Sequence, residues 1–378
     1  MKVRPLVALD VGATKVACAI GLPHERSPGF ELLGSSLVSY PTLSEVWVGD
    51  PLMVGHTIEQ ALEATGVTGD FSRALVAMNH PLLTSEPVRV AVGLGDEPTT
   101  VRMQDLDRLH AAALHQVLGV DREPLMVERL GCAGNGFEGV RDPWGLSATR
   151  LVGTFHIVTM PMAARRALVQ AVESAGLEVM KLTYTLAALW ASTSDERVSR
   201  KLVLLIDVGG LTTDVGLVMD GILHATAVVP WGGLTLSGMI ARNVHVTLDQ
   251  AMAWSLEGTA CRRPEVRTLI EGQWGSLQQV IETVLKGRPR PHAALVSGRG
   301  ALIDGFVEWV ERTIGIPTSL CRSSHTKQIS DLSRQVGLGP AVGLLEMATR
   351  TQDAPFIRST RMFNRLIDRT RTILTEYF

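Results

Sequence analysis

The pattern of apolar and polar positions repeats at two places in the chain. Four apolar residues lead into Asp10 and five lead into Asp207, and at both places an Asp-x-Gly sequence continues through a short polar loop into a second apolar run. An apolar run of this length is typical of a buried central strand, and the glycine permits a tight hairpin whose backbone is open to a ligand. The repeat therefore predicts two β-hairpins, 197 residues apart, in two halves built on one plan.

Helical spacing of apolar residues recurs elsewhere. Helices are predicted at 104–118, 161–175, 232–243, 248–257 and 269–286. Strand-like runs at 87–93 and 150–158 flank the first of these helices, which suggests an inserted α/β subdomain. Residues 293–302 form a third strand that runs into a glycine turn, Ser297-Gly298-Arg299-Gly300. This alternation of strands, glycine turns and helices predicts an α/β fold.

The C-terminal segment, residues 361–378, has its apolar residues at steps of three and four, which places them on one face of a helix. The residues predicted to touch a membrane are Phe363, Leu366, Ile367, Ile373, Leu374, Tyr377 and Phe378, with Arg365 and Arg369 on the basic side. Residues 358–378 hold five Arg against two acidic residues, a local charge of +3. A basic amphipathic helix suits an anionic membrane surface. The alternative is that this helix packs on its own core or on a partner.

Composition and charge argue against two classes of protein, nucleic-acid binders and exported proteins. The 378 residues contain 36 Lys and Arg against 38 Asp and Glu, and this net charge of −2 argues against a nucleic-acid binder. The four cysteines are far apart and have no Cys-x-x-Cys pair, as expected of reduced thiols in a cytosolic protein. The first apolar run stops at Asp10, too soon for the core of a signal peptide. We therefore expect a cytoplasmic protein.

The two hairpin turns are candidate phosphate loops, because turns rich in Gly and Thr present backbone N–H groups and hydroxyls to a polyanion. A carboxylate leading into each turn suits a hydrated Mg²⁺ that bridges phosphates, so Asp10 and Asp207 are the predicted metal residues, acting through water. A single Asp-x-Gly turn is more often a plain turn, but two copies and a third glycine turn favour a phosphate site. The predicted phosphate-loop residues are Asp10, Gly12, Ala13, Thr14, Lys15, Asp207, Gly209, Gly210, Thr212 and Thr213.

These motifs resemble those of the actin, Hsp70 and sugar-kinase superfamily, and within it the chain resembles the FtsA family of bacterial cell-division proteins. The stretches that carry the second resemblance lie at 142–151, 156–159, 172–179, 228–235 and 337–345. The resemblance implies an actin-like two-domain fold of duplicated ribonuclease-H-like halves with ATP between them. It also implies that Gly232, Gly233, Gly298 and Gly300 line the nucleoside end, beside Arg299.

The resemblance further implies a division of the chain into FtsA-type subdomains. The expected boundaries are 1–80 for the first part of subdomain 1A, 81–160 for the inserted subdomain 1C, 161–200 for the return to 1A, 201–258 for 2A, 259–292 for a reduced 2B, 293–350 for the end of 2A with a closing helix, 351–360 for a linker and 361–378 for a membrane-targeting helix. In the family, subdomain 2B hosts the tail of the tubulin-like division protein FtsZ. FtsZ is thus an implied partner whose usual surface is reduced here.

At four places around the expected nucleotide site, the sequence departs from the family pattern. Leu211 replaces a third glycine, Tyr184-Thr185 replaces Glu-Pro, Met252 and Ser255 replace a Glu and a Lys, and Arg299 replaces a glycine. Together they favour nucleotide binding over appreciable hydrolysis, so the chain is at most a slow ATPase. The Arg299 guanidinium is planar and could stack on an adenine.

The sequence therefore predicts an FtsA-like cytoskeletal protein that binds ATP, forms filaments and tethers a division or filament system to the inner face of the cell membrane. The first alternative is a non-hydrolysing scaffold, similar to the pilus-assembly protein PilM, that docks a peptide of a membrane protein. The second is a small-molecule kinase, which would need a catalytic Asp facing a sugar pocket, and the sequence offers no convincing candidate.

Overall fold

The computed structural model of the chain describes residues 3–41, 49–193 and 201–350. The predicted linker and the predicted membrane-targeting helix at 361–378 lie outside these residues. Among the described residues, no helix has the length and apolar character needed to cross a membrane.

The strands of the described chain are β1 (Leu6–Val11), β2 (Lys15–Pro23), β3 (Phe30–Ser39), β4 (Arg73–Met78), β5 (Thr84–Gly93), β6 (Thr99–Thr100), β7 (Arg122–Gly134), β8 (Phe137–Val140), β9 (Ser147–Ala148), β10 (Arg150–Pro161), β11 (Glu178–Tyr184), β12 (Val203–Val208), β13 (Thr213–Met219), β14 (Ile222–Val229), β15 (Ala293–Ser297) and β16 (Thr318–Leu320).

The α-helices are α1 (Pro51–Ala64), α2 (Met103–Val117), α3 (Met162–Ser174), α4 (Thr185–Ser192), α5 (Gly233–Val244), α6 (Leu248–Leu256), α7 (Pro264–Leu285), α8 (Phe306–Ile314), α9 (Leu332–Gly337) and α10 (Gly339–Arg350). Short 3₁₀ turns lie at Ala260–Arg262, Arg299–Leu302 and Ser324–Thr326.

Two five-stranded sheets have the same topology. The first has the strand order β3-β2-β1-β4-β11 and the second has the order β14-β13-β12-β15-β16. In each sheet the first three strands form an antiparallel meander, and two later strands add in parallel beyond its first strand. The predicted hairpins are β1–β2 and β12–β13, and their central strands are buried. The predicted duplication is therefore confirmed.

An additional sheet lies in the chain between β4 and α3. Its strand order is β5-β10-β7-β8, and α2 packs against β5 and β10. A separate apolar core, which includes Leu109, Leu151 and Phe155, lies between this sheet and α2. The predicted strands at 87–93 and 150–158 are present within β5 and β10, both of which are longer than expected.

Four of the five predicted helices, now α2, α3, α5 and α6, agree with the structure to within one residue at either end. The exception is α7, which begins at Pro264, five residues earlier than predicted. Proline is favoured in the first turn of a helix, because its missing N–H would have no helical partner there. Residues 259–292, all described, contain this helix and one 3₁₀ turn but no strand.

Helices α4 and α10 join the two halves. Helix α4 directly follows β11, α10 ends the described chain, and the two helices pack tightly on each other. Helix α10 also packs on β1, β2 and β4 of the first sheet, while α4 contacts β12 of the second. The two halves therefore meet in part through this pair of packed helices.

Candidate functional site

A cleft of about 930 Å³, partly open to solvent, lies between the two halves. Both hairpin turns, the glycine turn after β15, and helices α5, α6 and α9 contribute to its walls. The structure brings most of the predicted nucleotide residues into this lining, namely Asp10, Gly12, Ala13, Thr14, Lys15, Asp207, Gly209, Gly210, Thr212, Gly233, Gly298, Arg299 and Gly300.

Two residues of the predicted set, Thr213 and Gly232, are not part of the lining. Thr213 is fully buried at the start of β13, and its hydroxyl donates to the carbonyl oxygen of Trp231 at 3.0 Å. A Cβ on Gly232 would lie 2.4 Å from the carbonyl oxygen of Gly209, so its backbone packs directly against the turn. Both residues therefore support the second hairpin turn from behind and do not face the cleft.

The first hairpin turn is held by an ion pair and by a tyrosine. The Lys15 ammonium lies 2.5 Å from a carboxylate oxygen of Asp10, and both side chains are nearly buried. The Tyr40 hydroxyl donates to the carbonyl oxygen of Gly12 at 3.0 Å, and the Tyr40 N–H donates to the carbonyl oxygen of Thr14. These contacts fix a turn whose backbone faces the cleft. Sequence reasoning missed Tyr40, which lies in no recognisable motif.

One of the two predicted metal residues, Asp207, has a pKa well above the ordinary value of an aspartate. Burial, with the nearby charges of Asp214 and Asp10, raises the pKa of Asp207 to about 7. A cation beside Asp207 would favour its ionised form. The pair Asp10 and Asp207 could therefore hold a hydrated Mg²⁺, an ion that keeps several water ligands and is often bound by one or two carboxylates together with phosphate oxygens. Within the described chain, no group of three His, Cys, Asp or Glu side chains is placed to enclose a metal by itself.

A third carboxylate, Asp214, bridges the two halves. Its oxygens accept hydrogen bonds from the Tyr184 hydroxyl at 2.6 Å and from the Asn79 side-chain amide at 3.1 Å, both from the first half. The Asn79 amide also donates to Thr212, whose hydroxyl donates to Asp214. Burial raises the pKa of Asp214 to about 6, although these three donors oppose the increase. Asn79 and Tyr184 thus tie the first half to the second hairpin beside the cleft.

Most of the residues that depart from the family pattern lie along the cleft. Leu211 borders the cleft, but it is only 6% exposed because it packs into an apolar core that both halves share. Met252 and Ser255 of α6 line the cleft together with Gly337 of α9. Arg299 lines the same end, in the 3₁₀ turn that packs on α6 and α9.

The additional sheet matches a known protein-family model. Residues 82–159, which include β5 to β10 up to Thr159, match the model of the SHS2 domain inserted in FtsA. Over 92% of its length the chain is 24% identical to the cell division protein FtsA of Pseudomonas aeruginosa, 90% of which is covered. It is 28% identical to FtsA of Borreliella burgdorferi over 66% of this chain and 59% of that protein. The match to the FtsA of Bacillus subtilis likewise spans 56% of that protein.

Solved structures show the same fold at low sequence identity. The PilM–PilN type IV pilus biogenesis complex aligns with a TM-score of 0.70 at 15% identity, covering 91% of this chain and 98% of the other. MreB5 of Spiroplasma citri bound to ADP aligns with a TM-score of 0.52 at 12% identity, covering 93% and 99%. These likenesses establish the actin-like α/β fold. The matched insert and the curated relatives support the FtsA family, of which this chain is a divergent, actin-like homologue.

Proposed function

We propose that the chain binds ATP with Mg²⁺ in the cleft, self-associates into filaments and tethers a division or filament system to the cytoplasmic face of the membrane. The observation that carries the nucleotide proposal is the approach of the two hairpin turns. A Cβ on Gly210 would lie 2.6 Å from the Thr14 methyl group, so the turns of the two halves face each other in contact. With Lys15 and two carboxylates beside them, they form a two-sided phosphate grip.

Hydrolysis is proposed to be slow at most. Where the family carries a glutamate, this chain has Tyr184, and its hydroxyl is committed to Asp214. The next residue, Thr185, lines the cleft, but its hydroxyl is 3.5 Å from Asp10 and cannot take a proton as a carboxylate would. ATP would therefore act mainly as a clamp between the halves.

The partner proposals rest on the resemblance and on residues 361–378. Each basic residue near an anionic surface contributes about 1 kcal/mol, so a single copy of this segment would bind a membrane weakly. Copies linked along a filament would bind well, because neighbouring anchors raise the effective concentration. FtsZ is proposed as a partner from family membership alone, since the region that carries its usual surface is here mainly helix α7.

Removing either carboxylate is expected to abolish the effect of Mg²⁺ on nucleotide binding. In the wild type, we expect Mg²⁺ to tighten ATP binding at equilibrium. In Asp10→Ala and Asp207→Ala, ATP binding should weaken about tenfold or more and become insensitive to Mg²⁺. The exposed Asp70→Ala is the matched control and should behave as wild type. Unchanged binding in both cleft variants would contradict the assignment.

A chain ending at Arg350 is expected to lose membrane binding. Full-length protein should pellet with vesicles containing anionic lipid and remain in the supernatant with zwitterionic vesicles, because the segment beyond Arg350 is basic and amphipathic. The truncated chain should remain in the supernatant with both. Equal pelleting of the two chains would refute the anchor. A full-length chain that never pellets would favour the alternative, a PilM-like docking scaffold.

A further inference from the structure

Buried polar side chains join the additional sheet to the second half outside the cleft lining. The hydroxyl of Thr226, a buried residue of β14, donates to the hydroxyl of Ser85 in β5 at 3.0 Å. The Nε2 atom of His156, which is buried in β10, lies 3.2 Å from the same Thr226 oxygen. Burial, with the charges of His224 and Arg288, lowers the pKa of His156 to about 4, so this imidazole is neutral at pH 7. Thr226 therefore contacts two strands of the additional sheet through neutral polar groups.

The same threonine bonds to Tyr184, whose hydroxyl in turn holds Asp214. Burial and the charge of Asp214 raise the pKa of Tyr184 well above its ordinary value, and a side-chain hydrogen bond with Thr226 opposes this increase. Tyr184 therefore keeps its proton at neutral pH, and its buried hydroxyl donates to Asp214 at 2.6 Å. Tyr184 ends β11 in the first half, so it stands between two residues of the second half.

Asp214 carries this series of hydrogen bonds to the cleft. Its second carboxylate oxygen accepts from the Thr212 hydroxyl at 3.2 Å and from the Asn79 amide at 3.1 Å. Thr212 and Asn79 line the cleft, whereas Thr226, Tyr184 and Asp214 do not. The bonds therefore run without a break from the additional sheet to the second hairpin turn, and they alternate between the second half and the rest of the chain.

A network of this kind resists partial rearrangement. Its members are buried, so a group that loses its partner is not rescued by bulk water and costs free energy. A displacement of the additional sheet from β14 would remove the partners of Thr226 and, through Thr226, would disturb the hydroxyl of Tyr184 that holds Asp214. The second hairpin turn would then lose a contact that fixes it beside the first half.

We propose that this network couples the additional sheet to the cleft, so that displacement of the sheet from β14 loosens the second hairpin turn and speeds the release of nucleotide. The inference rests on the proposed nucleotide function and concerns the regulation of that site. Coupling between two sites is reciprocal, so a bound nucleotide must also stabilise the contact between the additional sheet and β14.

Thr226→Val tests the coupling, because it removes one hydroxyl from a residue that does not line the cleft. With Mg²⁺ present, the full-length variant should release a fluorescent ATP analogue at least about fivefold faster than wild type. Thr57→Val is the matched control. Thr57 is also buried, but its hydroxyl donates to the carbonyl oxygen of Met53 within α1, so its loss should leave the release rate unchanged. An unchanged rate in a folded Thr226→Val protein would overturn the coupling.

Two further readouts distinguish coupling from a general loss of stability. In wild type, the ATP analogue should slow amide hydrogen exchange in β5 and β10, and Thr226→Val should remove this protection. Tyr184→Phe should also speed release, and the double variant should release no faster than the faster single variant, because both changes break one series of bonds. Effects that multiply in the double variant would mean that the two residues act independently, and the proposal would be wrong.

Wild-type protein alone separates this inference from the proposed function. If the analogue binds but hydrogen exchange in β5 and β10 does not respond, the cleft holds nucleotide without coupling, and only the inference is overturned. If the analogue does not bind at all, the proposed nucleotide function is overturned, and the inference with it.

Discussion

Asp207→Asn is expected to make the nucleotide-free protein more stable at pH 7.5 while abolishing Mg²⁺-dependent nucleotide binding. The pKa of Asp207 is raised from its ordinary value of 3.8 to about 7, mainly by burial. The folded protein therefore holds this proton more tightly than the unfolded chain does. The protonated Asp207 therefore stabilises the folded state. This stabilisation is complete below the ordinary pKa of 3.8 and is lost as the pH rises through about 7. The loss is on the order of 2–4 kcal/mol, and an amide, which cannot ionise, avoids it.

The measurement is the difference in free energy of unfolding between Asp207→Asn and wild type from pH 4.5 to pH 8, without nucleotide or Mg²⁺. The difference should be small at the acidic end, grow through pH 6 and level off above pH 7. Asp70→Asn, which removes an exposed carboxylate, should follow wild type at every pH. If the difference in free energy of unfolding between Asp207→Asn and wild type does not change with pH, ionisation of Asp207 does not destabilise the folded protein, and the prediction is wrong. The trade between stability and binding is expected of a preorganised anionic site.

The duplicated plan could be predicted because its signal is local. Four or five apolar residues followed by Asp-x-Gly determine both a buried strand and the turn that ends it, so β1–β2 and β12–β13 were predictable without any knowledge of their neighbours. Helix α4 had no such signal. Six of its eight residues, Thr185–Ser192, are apolar and most are buried, because it lies between two halves, and a helix buried on most sides has no amphipathic period.

The candidate site also combines residues that a local motif predicts with residues that only the folded structure brings together. The hairpin and glycine turns reached the cleft as predicted by their motifs, but Asn79 and Tyr184 contact Asp214 only because β4 and β11 end beside the second hairpin in the folded molecule. No sequence pattern encodes that proximity. Thr213 was assigned to the cleft with Thr212 because they are adjacent in one motif. Adjacent residues entering a strand point to opposite faces, so Thr212 lines the cleft and Thr213 bonds to Trp231 behind it.

Gly343→Ala is expected to destabilise the protein by about 3 kcal/mol, the upper end of what overpacking costs, because it would separate the packed helices α4 and α10 that join the halves. A Cβ at this position would lie 1.7 Å from the carbonyl oxygen of Ala188 and 2.6 Å from its carbonyl carbon. Both atoms belong to the backbone of α4, so no side-chain rotation relieves the clash. Thr185 and Pro340, near the starts of these two helices, line the cleft. Separation of the helices should therefore also weaken nucleotide binding.

The matched control is another helical glycine. Gly272 lies on the exposed side of α7, and a Cβ there would meet nothing within 4 Å. Alanine forms helix better than glycine by about 1 kcal/mol, so Gly272→Ala should leave stability unchanged or increase it. In urea unfolding, the midpoint of Gly343→Ala should thus fall below that of wild type, and the midpoint of Gly272→Ala should equal or exceed it. Both changes add the same methyl group to a helix, but only at Gly343 does it meet the backbone of another helix. Similar unfolding midpoints would mean that α4 does not approach α10 this closely at Gly343.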